Sequence, residues 1–308
     1  MMDLFDTREA SPMLIARQME AFDDPGWIYE LKMDGFRILA YIDQNGVDFR
    51  NKRNMRMAGK FPELKDIYQN VKERCILDGE ISVLVNGVPD FYRLQKRTLL
   101  TDPFKIKLEA ERNPACFVAF DCIYRGEREL CWKPLMERKE QLSVIVEETP
   151  RIAVSRFVEG QGRALYAAAD ERKLEGVVAK KKDSLYFMGK RTKDWVKFKR
   201  MADEDYVVAG YIQKGQHVFS LIIGKSRGKR LFYKGHVTAG VTKEAVSALT
   251  VTEKNPFQIV PIENRETIWV EPDHVCIVEY MPNLKNALRQ PVFKGFRDDV
   301  SPEEVQED

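Results

Sequence analysis

A lysine amine attacks phosphorus or carbonyl carbon only when deprotonated, and burial or neighbouring cations bring its pKa down from about 10.4. One lysine here sits where such help is available. In Glu30-Leu31-Lys32-Met33-Asp34-Gly35-Phe36-Arg37 it lies between two strand-like apolar runs, followed by an acid, a glycine and an arginine. A lysine entering a strand is costly unless its charge is used or suppressed. The glycine permits a tight turn, and the arginine can hold a phosphate or carboxylate bidentately. A solvated hairpin could carry the same residues, so the reading depends on partners elsewhere in the chain.

Candidate partners recur at strand ends: Arg37, Arg50, Glu80, Phe120, Glu175, Lys197 and Lys199. Each has a plain structural reading too. Glu80 could be a hairpin carboxylate in water, Phe120 a core residue, Glu175 a strand cap, and the Lys197/Lys199 face a solvated one. What favours chemistry is their joint occurrence with strand–turn–strand punctuation.

The elements that must position them are mostly strands. Trp27 to Lys32 and Phe36 to Ile42 read as two strands, and Asn45-Gly46 turns the second back into Val47 to Asn51. Pro62 starts a short helix. Cys75 to Val85 reads as strand, turn and strand, with a further hairpin at Asn86-Gly87, and Phe117 to Tyr124 is an apolar strand interrupted by Asp121. Leu135 to Val146 has helical spacing with Pro134 in its first turn. Ile152 to Phe157 reads as a strand, Arg163 to Lys173 as a helix, and Glu175 to Lys180 as a strand. The period-two pattern of Trp195 to Lys199 is expected to put both lysines on one face and the aromatics and valine on the other. Met201 to Asp205 is a polar break. Beyond it, short strands at Tyr206–Ile212, 218–223, Arg230–Tyr233 and His274–Tyr280 and one helix at 243–249 suit a small closed barrel of the oligonucleotide-binding type.

Composition narrows the class. The 308 residues are 44% hydrophobic and 32% charged, which suits a globular chain of one large or two ordinary domains. No apolar run approaches the 18 or so residues of a membrane helix, and the N-terminus lacks a signal-peptide layout. Five cysteines without a C-x-x-C pair argue against disulfides and structural zinc and for a reducing cytosol. The net charge of +2 is uninformative, but Lys180 to Arg200 holds nine Lys or Arg against two Asp, a density that a solvated face can carry and that also suits a polyphosphate partner. Gly224-Lys225-Ser226 looks like the tail of a P-loop, but the earlier glycine is replaced by Phe219. Three histidines, all in the C-terminal part, make a hydrolase triad or His-ligated metal site improbable.

Five segments, in order, resemble the successive motifs of the covalent nucleotidyltransferases: Lys32-Met-Asp34-Gly35-Phe-Arg37, Leu77-Asp78-Gly79-Glu80, Phe117-Val-Ala-Phe120-Asp121, Glu175-Gly176-Val-Val-Ala-Lys180 and Trp195-Val-Lys197-Phe-Lys199. That superfamily comprises ATP-dependent DNA ligases, RNA ligases and mRNA-capping guanylyltransferases. The second half, with Val208-Ala-Gly-Tyr-Ile, Tyr233-Lys-Gly-His and Leu288-Arg289-Gln-Pro291, is most similar to the ligase module of the bacterial ligase D family, here expected as a stand-alone protein.

The resemblance implies an α+β fold: a nucleotidyltransferase (adenylation) domain of antiparallel sheets with helices over residues 1–202, then an OB-fold barrel over 203–308. It implies that Lys32 attacks the α-phosphorus of ATP and carries AMP as a phosphoramidate, which passes to a 5′-phosphate before a 3′-hydroxyl seals the strand. Glu80 would accept from the ribose hydroxyls, Phe120 would stack on adenine, and Glu30 would accept from its exocyclic amine. Lys197 and Lys199 would lie beside the triphosphate, Arg37 and Arg50 would bind phosphate, and Arg297 of the barrel would close on ATP through a hinge at Met201–Asp205. Glu175, with Asp34 or Asp121, would position Mg²⁺, with Mn²⁺ as an alternative.

Expected partners are nicked or broken duplex DNA and a Ku-type end-binding protein, with no membrane, a monomeric state and a bacterial, nucleoid-associated cytoplasmic location. RNA ligation, capping-type guanylyl transfer and a non-catalytic DNA-binding scaffold are the rival readings. One departure stands out. The family's closing R-x-D-K reads Arg297-Asp298-Asp299-Val300, so self-adenylation is expected to be slower, or Lys294 to compensate.

Overall fold

Apolar, β-prone runs between turn signals build the larger sheet of the first unit. In the computed structural model, which describes residues 3–199, 201–228, 230–257, 266–282 and 288–307, strands Gly46–Asn51, Phe36–Asp43, Cys75–Val85 and Ala115–Arg125 lie side by side and antiparallel. Arg128–Glu129 extends this sheet, Val88–Pro89 pairs on Cys75–Val85, and Ile152–Val154 adds a parallel strand. Cys75–Val85 is one continuous strand, without the turn its sequence suggests. The Asp78-Gly79 step is instead absorbed by a register shift against Asp121/Ala119.

A second sheet of four antiparallel strands runs in the order Phe157–Glu159, Trp27–Leu31, Gly176–Lys181, Trp195–Lys199. The expected strand Ile152 to Phe157 is therefore divided between two sheets, with Ser155 at the crossing. The sheets share a core of Ile28, Leu39, Tyr41, Ile76, Tyr186 and Trp195. On the far side of the larger sheet, Leu94 and the helix Leu135–Ile145 cover Ile38, Ala40, Leu77 and Phe117. On the outer side of the smaller one, Val196 and Phe198 pack with Tyr166 and Ala169 of the helix Gly162–Glu171.

Two helices, Phe91–Leu99 and Pro103–Arg112, go beyond the sequence expectation. Their signals are the caps: Asp90 accepts from the Arg93 N–H at 3.0 Å, and Asp102 accepts from the N–H groups of Phe104 and Lys105 with Pro103 at the first position.

The chain forms two compact units, residues 1–199 and 200–308. In the second, an OB-type barrel, five antiparallel strands run in the order Arg230–Val237, Phe219–Arg227, Ala202–Gln213, Ile268–Met281, Arg289–Arg297. The parallel bridge Ala239–Val292 ties its two edges. The core is Val208, Leu221, Ile223, Val237, Cys276 and Val278, and Lys243–Ser247 is its helix. The polar stretch expected as a hinge is largely strand, since Ala202 to Asp205 pair with Tyr280 to Ile277. Arg200, the last cation of the basic run, lies outside the described residues. All five cysteines are free and buried. Among the described residues no helix is long and apolar enough to cross a membrane.

Candidate active site

Two glycines of the motifs bring the site together by close approach. A Cβ on Gly35 would lie 2.2 Å from the Ile81 carbonyl oxygen, so only glycine lets the chain after Lys32 cross the Cys75–Val85 strand. Gly176 has φ +138° and would place a Cβ 2.0 Å from the Phe198 carbonyl oxygen. Any side chain there would push Glu175 away from the Lys197–Lys199 strand.

The result is a cavity of about 190 Å³ lined by Ile15, Glu30, Leu31, Lys32, Met33, Arg37, Glu80, Phe120, Ser155, Val178, Lys180 and Trp195. At its charged end Lys32 Nζ lies 2.9 Å from Glu175 Oε2, and Lys199 Nζ lies 3.2 Å from Glu175 Oε1. The Glu175 carboxylate, 4% exposed, thus bridges two ammonium groups taken from strands far apart in sequence. Lys197 belongs to the same cluster. Burial, then Lys199, then Lys32 pull its pKa below the ordinary lysine value, while Glu175 opposes them. Glu80 faces Arg37 across the sheet. Burial pushes its carboxyl up to about 8, against the pull of Lys32 and Arg37.

The inner end is a second charged group. Glu30, 3% exposed, is held by Lys180 Nζ at 3.0 Å, by the Ser155 hydroxyl at 3.1 Å and by Lys139. Burial opposes its ionisation, but the two lysines outweigh that and keep its carboxyl below the usual range. Burial lowers Lys180 to about 8 despite Glu30. The Lys180 ammonium sits 4.3 Å from the Phe120 ring centre and 4.4 Å from that of Trp195, and the Arg37 guanidinium lies 5.1 Å from Phe120.

Several expected residues take other places. Asp121 is sealed off from the cavity: it is fully buried and Arg138 bonds both its oxygens, at 2.8 and 2.9 Å. Asp34 contributes its carbonyl, which accepts from Ser82 Oγ at 2.8 Å. Arg37 lines the cavity, but its Nε and Nη2 donate to Asp78 at 3.0 and 2.6 Å, and Tyr186 donates to the same carboxylate. Arg50 is not in the lining and pairs with Asp48 at 2.9 Å. Trp195 shares the face of Lys197 and Lys199, since residues two apart in a strand point the same way. The expectation that sets it with Val196 and Phe198 is an error of parity.

Arg297 lies in the second unit, bonded to Asp205 at 2.9 Å and to Asp299 at 2.9 and 2.5 Å. Val300 is half-buried and packs against Val207, Val275 and Val305. Lys294 pairs with Glu279 at 3.6 Å. Lys225 of the failed P-loop pairs with Glu204 inside a strand.

Lys139, Ser155, Lys180 and Trp195 are site residues that sequence reasoning misses. Lys180 and Trp195 can be found from parity with Val178 and Lys197. Lys139 lies within the Leu135–Ile145 helix, and nothing local marks it.

Both units have counterparts among known proteins. Residues 10–199 match the family described as the ATP dependent DNA ligase domain, and residues 214–300 match the ATP dependent DNA ligase C terminal region. The chain is 30% identical to the SPbeta prophage-derived DNA ligase-like protein LigB of Bacillus subtilis, over 93% of this chain and 98% of that protein. It is 28% identical to the multifunctional non-homologous end joining protein LigD of Mycolicibacterium smegmatis, over 91% of this chain but only 37% of that protein. A solved structure of mycobacterial DNA ligase D complexed with ATP and MES is similar at a TM-score of 0.58 and 27% identity, covering 98% of this chain and 99% of the other.

Proposed function

Because this chain belongs to the ATP-dependent DNA ligase family, we propose that Lys32 is the residue that carries AMP between ATP and the DNA end. The observation that supports this most is the bridged cluster Lys32–Glu175–Lys199, with Lys197 beside it, at one end of a cavity whose lining includes the rings of Phe120 and Trp195. Glu175, 2.9 Å from the Lys32 amine, is placed to hold the proton that the amine must lose. The Lys32 nitrogen then forms a bond to the α-phosphorus as the bond to the pyrophosphate oxygen breaks. Lys197 and Lys199 stabilise the charge that spreads over the phosphoryl oxygens. AMP passes next to the 5′-phosphate of a broken strand, and the 3′-hydroxyl displaces it to leave a phosphodiester.

Phe120 and Trp195 supply the flat apolar walls for adenine, and Glu30 the acceptor for its exocyclic amine. Glu80 serves the ribose hydroxyls. At the triphosphate end Glu175 offers a hard carboxylate oxygen to Mg²⁺ or Mn²⁺, and because no cluster of three acidic, histidine or cysteine side chains gathers among the described residues, such an ion would take its remaining ligands from phosphates and water. Bound there, it would neutralise phosphate charge. Asp121, closed by Arg138, has no part in holding it.

The relatives named for non-homologous end joining are much longer than this chain, which spans 37% of the mycobacterial LigD it matches. From them the reading takes repair of broken duplex DNA with a Ku-type partner. From the resemblance it takes a monomer, and the five free buried cysteines fit a reducing cytoplasm beside the nucleoid.

The test is sealing of a nicked duplex bearing a 5′-phosphate, with ATP or GTP and with the nick in DNA or in RNA. Sealing of DNA with ATP is expected. Labelling of the protein by GTP alone, or sealing of RNA only, would reject the proposal.

A further inference from the structure

The helix Leu135–Ile145 grips the cavity wall through two successive residues. Arg138 bonds both oxygens of Asp121, next to Phe120, and Lys139 pairs with Glu30 Oε1. The Lys139 side chain is 4% exposed and does not line the cavity, so it reaches Glu30 from behind the wall. Phe157 lies directly opposite Glu30 in the smaller sheet, and its ring centre is 5.4 Å from the Lys139 ammonium, which fixes the direction of approach.

Glu30 does not need Lys139 for neutrality. Lys180 Nζ, 3.0 Å from Oε2, already supplies one positive charge, and the Ser155 hydroxyl donates to the same oxygen at 3.1 Å. Burying a second ammonium beside one carboxylate is costly. What Lys139 adds is on the other oxygen, so that the carboxylate is held at both ends. A carboxylate has about four acceptor sites. Lys139, Lys180 and Ser155 occupy three of them, which leaves one for a donor from the cavity that Glu30 lines.

Ionisation matters as much as direction. Burial pushes the Glu30 carboxyl up, and Lys139, then Lys180, bring it below the usual range. An ionised carboxylate accepts hydrogen bonds and donates none. It therefore favours a purine with an amine at the 6-position and repels one with a carbonyl there, whose oxygen is also an acceptor. Without Lys139, burial is opposed by Lys180 alone and Oε1 is free to turn or to take up a proton. A protonated carboxyl can donate to a 6-carbonyl.

We infer that Lys139 is a positioning residue: it holds Glu30 as an ionised acceptor turned to the purine 6-position, and so sets the preference for a 6-amino over a 6-oxo nucleotide. This rests on the reading in which Lys32 takes up AMP with adenine against Phe120 and Glu30.

Self-nucleotidylation of the full chain tests it, read by intact mass after timed incubation with Mg²⁺ and graded ATP, inosine triphosphate or purine riboside triphosphate. These carry an amine, a carbonyl and a hydrogen at the 6-position. Lys139→Met is expected to raise KM for ATP about tenfold, the worth of one hydrogen bond to a charged group, with kcat little changed. KM for purine riboside triphosphate should stay within about twofold, and the ratio of kcat/KM for ATP over inosine triphosphate should narrow by about tenfold. Lys139→Arg, which keeps the charge, should restore most of the ratio. Lys139→Gln keeps a donor of similar reach without the charge and gives the same reading if Lys139→Met does not fold; the ratio should narrow there too. An ATP to inosine triphosphate ratio unmoved in the folded variants would overturn the inference alone. So would an equal loss with all three nucleotides, as expected of an ion pair that only ties the helix to the sheet. A wild-type protein that takes up none of the three removes the Lys32 reading and this inference together.

Discussion

Lys139→Met isolates the buried charges behind the cavity. Glu30, Lys139 and Lys180 are each 3–4% exposed at the side chain, so none is solvated and each depends on the others. Breaking a buried pair by removing one partner costs about 3–5 kcal/mol. Lys180 and Ser155 still hold Glu30, which brings the expected cost of Lys139→Met to about 2–3 kcal/mol. In a unit of residues 1–199 each kcal/mol lowers Tm by about 2–4 °C, so a drop of about 4–12 °C is expected. Glu30→Gln is also destabilising, since it leaves two ammonium groups facing a neutral amide. The double variant removes both defects at once and should be more stable than the sum of the singles by about 1–3 kcal/mol. Urea melts followed by tryptophan fluorescence measure this, with Trp27, Trp132 and Trp195 all in the first unit. Additivity within about 0.5 kcal/mol would refute the coupling and with it the description of Glu30 as a shared counter-ion.

Glu80→Gln tests the pressure of burial on a carboxyl. The folded pKa of about 8 lies above the unfolded value, so the native state holds a proton that the unfolded state has lost. Wild-type stability should therefore fall as pH rises from about 4.5 to about 8 and then level off, and the gain from Glu80→Gln should grow over the same range. Urea midpoints at both ends of that range give the answer, and a pH-independent difference would contradict it. Lys197→Ala removes a cation from the triphosphate end and should slow self-adenylation by about 10²-fold, the usual loss for one stabilising group. Sealing of DNA that is already adenylated should fall much less, and equal losses in both assays would place Lys197 outside the first transfer.

Most of the site is legible in the sequence because strand chemistry leaves local marks. Lys32, Glu80, Glu175 and Lys199 each sit beside a glycine, at a strand end or at a fixed parity, and these positions converge in the fold. What stays hidden depends on contacts between distant segments. Asp121 reads as a metal carboxylate until the helix carrying Arg138 closes over it, and Lys139, one residue further on, reaches Glu30 by the same docking. The turn expected within Cys75–Val85 fails because Gly79 serves close packing: a Cβ there would meet the Phe117 ring at 2.5 Å. Met201 to Asp205 reads as a break because the acids are polar, yet strand pairing with Tyr280 to Ile277 satisfies their backbone. In the barrel, Arg289–Arg297 escapes notice because its Pro291 argues against a strand; it lies at the edge of the sheet, where proline is tolerated.

Intact mass spectrometry after incubation with ATP and Mg²⁺ tests the central assignment most directly. The wild-type protein should gain one AMP, the adduct should map to Lys32, and Lys32→Ala should gain none while keeping its fold. An adenylate on another residue, or undiminished nick sealing by purified Lys32→Ala, would contradict the assignment.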